Sequence, residues 1–159
     1  MDKKKWGQTR LTGEKNGVKQ SVLTEGKGVP LAVVISGANR HDVKLLEETL
    51  DSIVIFRPLP TPESPQNLCL DAGYTGSKET VEQRGYIPHI RPRGEEKIEI
   101  ERNPDFKARR WVVEVCHSWL NRFRKLLVRY EKYAENYLAL VQFACALIAW
   151  RKTIRVHLS

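Results

Sequence analysis

The chain has 159 residues and 41% hydrophobic side chains, enough for one compact domain with a real core. Its net charge of +8 and pI of about 9.5 favour a polyanionic partner, most often nucleic acid, although a scattered basic surface gives the same sum. The three cysteines, Cys69, Cys116 and Cys145, are widely spaced and form no CxxC pair. That argues against a disulfide framework or a zinc site, and thiols inside apolar runs fit a cytoplasmic protein.

Residues 1–17 are polar and basic, begin "MDKKKWGQTR" and have no apolar stretch behind them. They read as a flexible tail rather than a signal peptide. "VKQSVLT" and "VPLAVVISG" flank the glycine-containing "EGKG" and predict a β-hairpin. In "NRHDVKLLEETLDSI", Val43, Leu46, Leu50 and Ile53 recur at helical spacing, with Asp42 as the cap. Four prolines make residues 57–66 a loop. "NLCLDAGY" predicts a short buried strand. Ser77 caps a brief helix ending at Gly85, and "YIPHIR" is an edge strand because of Pro88. Residues 92–105 form a polar loop. One long helix is expected over 106–132 and a last one over 135–152. The apolar run 137–150 falls short of the ~20 residues that span a bilayer, so it is expected to be a buried helix. The order of elements is that of an α/β fold.

Two carboxylates stand out. Asp71 follows an apolar strand and precedes Ala-Gly, at the strand end where open α/β sheets bind ligands. A plain turn-capping Asp is the competing explanation. Glu114 is the only acid between Asp105 and Glu131, in a segment holding Arg110, Arg122, Arg124, Lys125 and Arg129. On a helix it shares a face with Arg110, Ser118 and Asn121, while Val112, Val115, Trp119 and Leu126 face the core. An ion pair with Arg110 is the simpler account, but a carboxylate among valines carries a desolvation cost that such a pair leaves unexplained. Two acids brought close repel each other, and a divalent cation between them removes that penalty. The cations nearby would then hold phosphates. His117 reads as a surface or core-edge residue rather than a ligand, and the tryptophans as packing residues, with base stacking open only to Trp6.

"LCLDAGYTG", "ANRHD", "RGYIPHIRPRGEE" and the run from "ARRWVVEVCHSW" to "LIAWR" resemble the DDE transposases of bacterial insertion sequences, more narrowly insertion-sequence family five. The resemblance runs from about Thr12 to Trp150. It implies a ribonuclease-H-like domain over 18–159 that uses Mg2+, with Mn2+ as an alternative, for DNA strand cleavage and strand transfer. It makes Asp71 the second acid of the triad and Glu114 the third, both as catalytic residues and metal ligands. Arg110 matches the family's arginine, and Arg122, Arg124, Lys125 and Arg129 become DNA-binding candidates. The implied partners are insertion-sequence ends and target DNA, with a second copy or the full-length transposase alongside; no membrane is involved and the location is cytoplasmic, near the nucleoid.

The chain also departs from the family. Its first Asp belongs on a strand ahead of the hairpin, and no residue here fills that place: Asp2 lacks an apolar strand, Glu14 and Glu25 sit in polar turns, and Asp42 caps a helix. Val115 and Cys116 replace a polar pair after the glutamate, and Asn121 stands where a lysine is usual. The expectation is therefore a transposase domain truncated on its N-terminal side and impaired alone. The alternative is a non-catalytic DNA-binding regulator derived from the transposase.

Overall fold

The computed structural model describes residues 17–90 and 111–157. The basic tail, the loop 92–105 and the expected helix start at 106–110, Arg110 included, lie outside those residues. Two compact units are present. Unit 1 takes the described residues up to Val54 and from Val112 onward, and unit 2 those between Ile55 and Trp111.

Unit 1 begins with the expected hairpin. Strands Val18–Thr24 (β1) and Pro30–Gly37 (β2) pair antiparallel, with a register shift between Leu23 and Thr24. Glu25 builds the turn. Its side-chain Oε1 accepts from the amides of Lys27 (2.7 Å) and Val29 (3.0 Å). Gly28 adopts φ +85°, and a Cβ there would meet the Val112 carbonyl oxygen at 3.2 Å. Glycine is needed twice, for the left-handed backbone and for the close approach.

Helix Val43–Asp51 (α1) buries Leu45, Leu46, Thr49 and Leu50. The expected apolar stripe is thus shifted: Val43 is exposed and Ile53 lies beyond the helix. Thr49 hydrogen-bonds Ser21 of β1 at 2.8 Å. Asp42 occupies the cap position without a capping bond and instead pairs with Lys19 at 3.0 Å.

The expected helix over 106–132 is broken in the described part. Helix Trp111–Leu120 (α3) ends in a turn, a single helical turn Arg124–Leu127 (α4) follows, and Ala134–His157 (α5) closes the unit. Phe123 and Val128, on either side of α4, are extended. No Gly or Pro marks this break. At about 100° per residue a continuous helix would turn Leu126 roughly 120° away from Leu120. The break lets both join one core with Val33, Cys116, Tyr137, Val141, Ala144 and Ile148. Such side chains contribute about 1.5–3 kcal/mol each when fully buried.

The last helix is not buried all round. Tyr137, Val141, Ala144 and Ile148 line its inner face, whereas Phe143 and Trp150 are 63% and 60% exposed, against the packing role expected of Trp150. By length and composition Ala134–Ile154 could cross a membrane. Its buried stripe belongs to the core of unit 1.

Unit 2 is a β-α-β arrangement. Strand Gln66–Leu70 (β3) pairs in parallel with Tyr86–Ile90 (β4), in register from Gln66 opposite Tyr86 to Leu70 opposite Ile90. A parallel pair needs a crossover. Here a 3-10 segment, Ala72–Ser77, and helix Lys78–Gln83 (α2) supply it. Ser77 precedes α2 without a capping bond. Gly85 ends the helix at φ +79°. Val81 is fully buried and Leu68 nearly so. Among the described residues β4 pairs only with β3, as Pro88 requires of an edge strand.

The expectation of a buried β3 needs correction. Its side chains alternate, and Asn67 and Cys69 are exposed, as are Ile87 and His89 on β4. Successive strand residues face opposite sides, so an apolar run in sequence does not bury both faces. Among the described residues both sheets have two strands: β1 with β2, and β3 with β4.

Candidate metal and nucleic-acid site

Asp71 stands directly after β3, where the sequence places it. Its backbone stays extended (φ −70°, ψ 161°), and Oδ1 accepts from the Ala72 amide at 2.6 Å. The Tyr74 amide bonds the Asp71 carbonyl at 2.9 Å. Turn chemistry therefore fixes this residue and presents an exposed carboxylate at the carboxyl end of a parallel strand. The turn-capping explanation of Asp71 is thus seen directly.

Glu114 lies in the first turn of α3. Part of the shared face holds: Ser118 is exposed with it, while Asn121 lies in the turn beyond the helix. The apolar setting does not. Glu114 is itself exposed, while Val112, Cys116 and Leu120 take the buried side. Flanking valines are 100° away around the helix, so they do not desolvate the carboxylate. Among the described residues Glu114 has no salt-bridge partner. The ion pair considered with Arg110 lies outside those residues.

The cationic candidates separate by their contacts. Arg122, Arg124 and Lys125 are exposed around the α3–α4 turn. Arg129 is half-buried: Nε donates to the Glu131 carbonyl at 2.9 Å, and its guanidinium lies 5.5 Å from the centre of the Tyr137 ring. It therefore braces the approach to α5. Tyr137 locks the same region, donating its hydroxyl to the Leu126 carbonyl (3.1 Å) and accepting from Gln20 Nε2 (2.8 Å).

His117 is half-buried at the core edge, as expected, and burial lowers its pKa below 6.5. Burial pushes the Cys116 thiol up to about 12, helped by the neighbouring Cys145, and Cys145 up to about 11. Cys69 is exposed, not part of the core. No group of three or more His, Cys, Asp or Glu that could hold a metal occurs among the described residues. Asp71 belongs to unit 2 and Glu114 to unit 1.

Arg151 and Lys152 were not singled out from the sequence. They line a groove on unit 1 with Trp119 and Arg122. The signal that could have found them is a basic pair closing an otherwise apolar helical run, with Trp150 before it.

The sequence matches the family described as "Transposase DDE domain" over residues 2–149. The chain belongs to that family and is a DDE transposase of the insertion-sequence kind. A Burkholderia cepacia protein named as the candidate transposase of insertion sequence element IS402 is 31% identical over 169 aligned residues, covering 100% of this chain and 77% of that protein. No solved structure matches.

Proposed function

We propose that this chain is the catalytic portion of an insertion-sequence transposase, in which Asp71 and Glu114 hold a divalent cation for DNA strand cleavage and strand transfer. The carrying observation is that, in a member of the DDE family, both acids emerge exposed from ordered elements, one at a strand end and one on the outer face of a helix that the exposed Arg122, Arg124 and Lys125 follow. Exposed carboxylate oxygens fit a hard ion such as Mg2+, which accepts few protein ligands and keeps its waters; Mn2+ fits the same donors. A bound ion would supply Lewis-acid stabilisation of charge on the phosphoryl oxygens. The chain's own part is to hold that ion with two acids and to place DNA phosphates on Arg110, Arg122, Arg124 and Lys125, with Arg129 ordering the segment behind them.

A ribonuclease-H-like sheet, with the family's first Asp on a strand that these 159 residues do not supply, belongs to the same reading. Among the described residues each sheet has two strands, and a two-stranded sheet is marginal alone. A further strand carrying the first Asp would give β1 or β3 a second neighbour, and without that acid metal binding is weak and catalysis falls severely. The test is Mg2+-dependent nicking of a labelled insertion-sequence end by this chain alone and with the upstream polypeptide added. Nicking that needs both, and is lost in Glu114→Gln, supports the reading. DNA binding with no nicking in either mixture, indifferent to Glu114→Gln, would instead identify a regulator.

A further inference from the structure

Unit 1 carries a groove of about 600 Å³ between the end of α3 and the last turns of α5. Trp119, Phe123 and Ile148 give it an apolar lining, and Arg122, Arg151 and Lys152 give it three cations. No carboxylate lines it, and among the described residues none of these cations is in a salt bridge. The Lys152 ammonium sits 4.1 Å from the centre of the Trp119 ring.

Three like charges gathered in one concavity repel each other and raise the local potential for an anion. A bare anion accounts for the cations but not for the aromatic walls. An apolar ligand accounts for the walls but not for the cations. The volume lies within the range of about 300–1,000 Å³ typical of sites for organic groups. Single-stranded nucleic acid offers both partners, phosphates for the guanidinium forks and base faces for the rings. A duplex hides its base faces and can use only the cationic rim.

We infer that this groove binds single-stranded DNA, base faces against Trp119 and Phe123 and phosphates on Arg122, Arg151 and Lys152. The inference rests on the reading of the chain as a DNA-handling protein, but at a site that uses neither Asp71 nor Glu114.

Fluorescence anisotropy tests it, with labelled oligothymidylate and a duplex of equal length, in EDTA. Failure here therefore leaves the carboxylate chemistry standing, and failure of nicking leaves the groove standing. Arg151→Gln with Lys152→Gln should weaken oligothymidylate binding about tenfold. It should also reduce the salt slope by about 1.4, at roughly 0.7 per lost phosphate contact. A charge-matched control, Lys27→Gln with Lys44→Gln at exposed positions, should change little. Trp119→Phe, checked for folding by circular dichroism, should lose much of the tryptophan quenching that oligothymidylate causes. Equal losses in the groove and control variants, an unchanged salt slope, or duplex binding as sensitive to Arg151 and Lys152 as the single strand would overturn the inference.

Discussion

Removing one oxygen atom tests how the region after α3 is held. Tyr137 is 4% exposed, and its hydroxyl ties three elements: it accepts from Gln20 of β1, donates to the Leu126 carbonyl of α4, and sits on α5. Tyr137→Phe keeps the ring in the core and beneath the Arg129 guanidinium. It leaves a buried carbonyl and a half-buried amide without their partner. Leaving a buried polar group unsatisfied costs about 1–3 kcal/mol. Gln20 recovers part of its loss by turning to water, so the Leu126 carbonyl carries most of the cost. Urea denaturation should therefore show a lower midpoint at unchanged slope, equivalent to about 1–3 kcal/mol. Gln20→Ala should add little in the Tyr137→Phe background, because the two share one bond. A change within about 0.5 kcal/mol, the usual range of surface substitutions, would refute the claim that this hydroxyl fixes the break between α3 and α5.

Two further predictions concern protons. Burial lowers the His117 pKa below 6.5, so its contribution to stability is present above that value and is lost as pH falls through the folded pKa; the melting temperature should drop on acidification below about 6.5, and less steeply in His117→Gln. For the thiols the shift is upward, so their contribution is present at neutral pH and is lost as pH rises towards 11 and 12. A thiol reagent at pH 8 should accordingly modify the exposed Cys69 quickly and reach Cys116 and Cys145 only on unfolding, and fast reaction of all three would contradict the burial.

What the sequence disclosed follows from how local each cause is. The hairpin was legible because its strands flank a turn that Glu25 and Gly28 build within five residues. Asp71 was legible because strand end, carboxylate and glycine are adjacent in the chain. The break after Leu120 was not, because nothing local causes it; it answers to Val33, Val141 and Ile148, distant in sequence. The setting of Glu114 was misread because neighbours in the chain are not neighbours on a helix face. Cys69 and Trp150 were misread in a similar way, apolar runs having been taken as buried on every side. The groove was missed because Trp119 and Lys152, 33 residues apart, meet only in the folded unit.

Under the function proposed above, Asp71 and Glu114 are both ligands of the catalytic cation. Hydroxyl-radical cleavage driven by Fe2+, which can replace Mg2+ on oxygen ligands, reports each ligand separately, since the radicals cut the backbone beside the bound metal. The prediction is two groups of cuts, one around residue 71 and one around residue 114, both suppressed by excess Mg2+ and both lost in either Asp71→Asn or Glu114→Gln. Cuts at one position only, or cuts near 71 that survive Glu114→Gln, would contradict it.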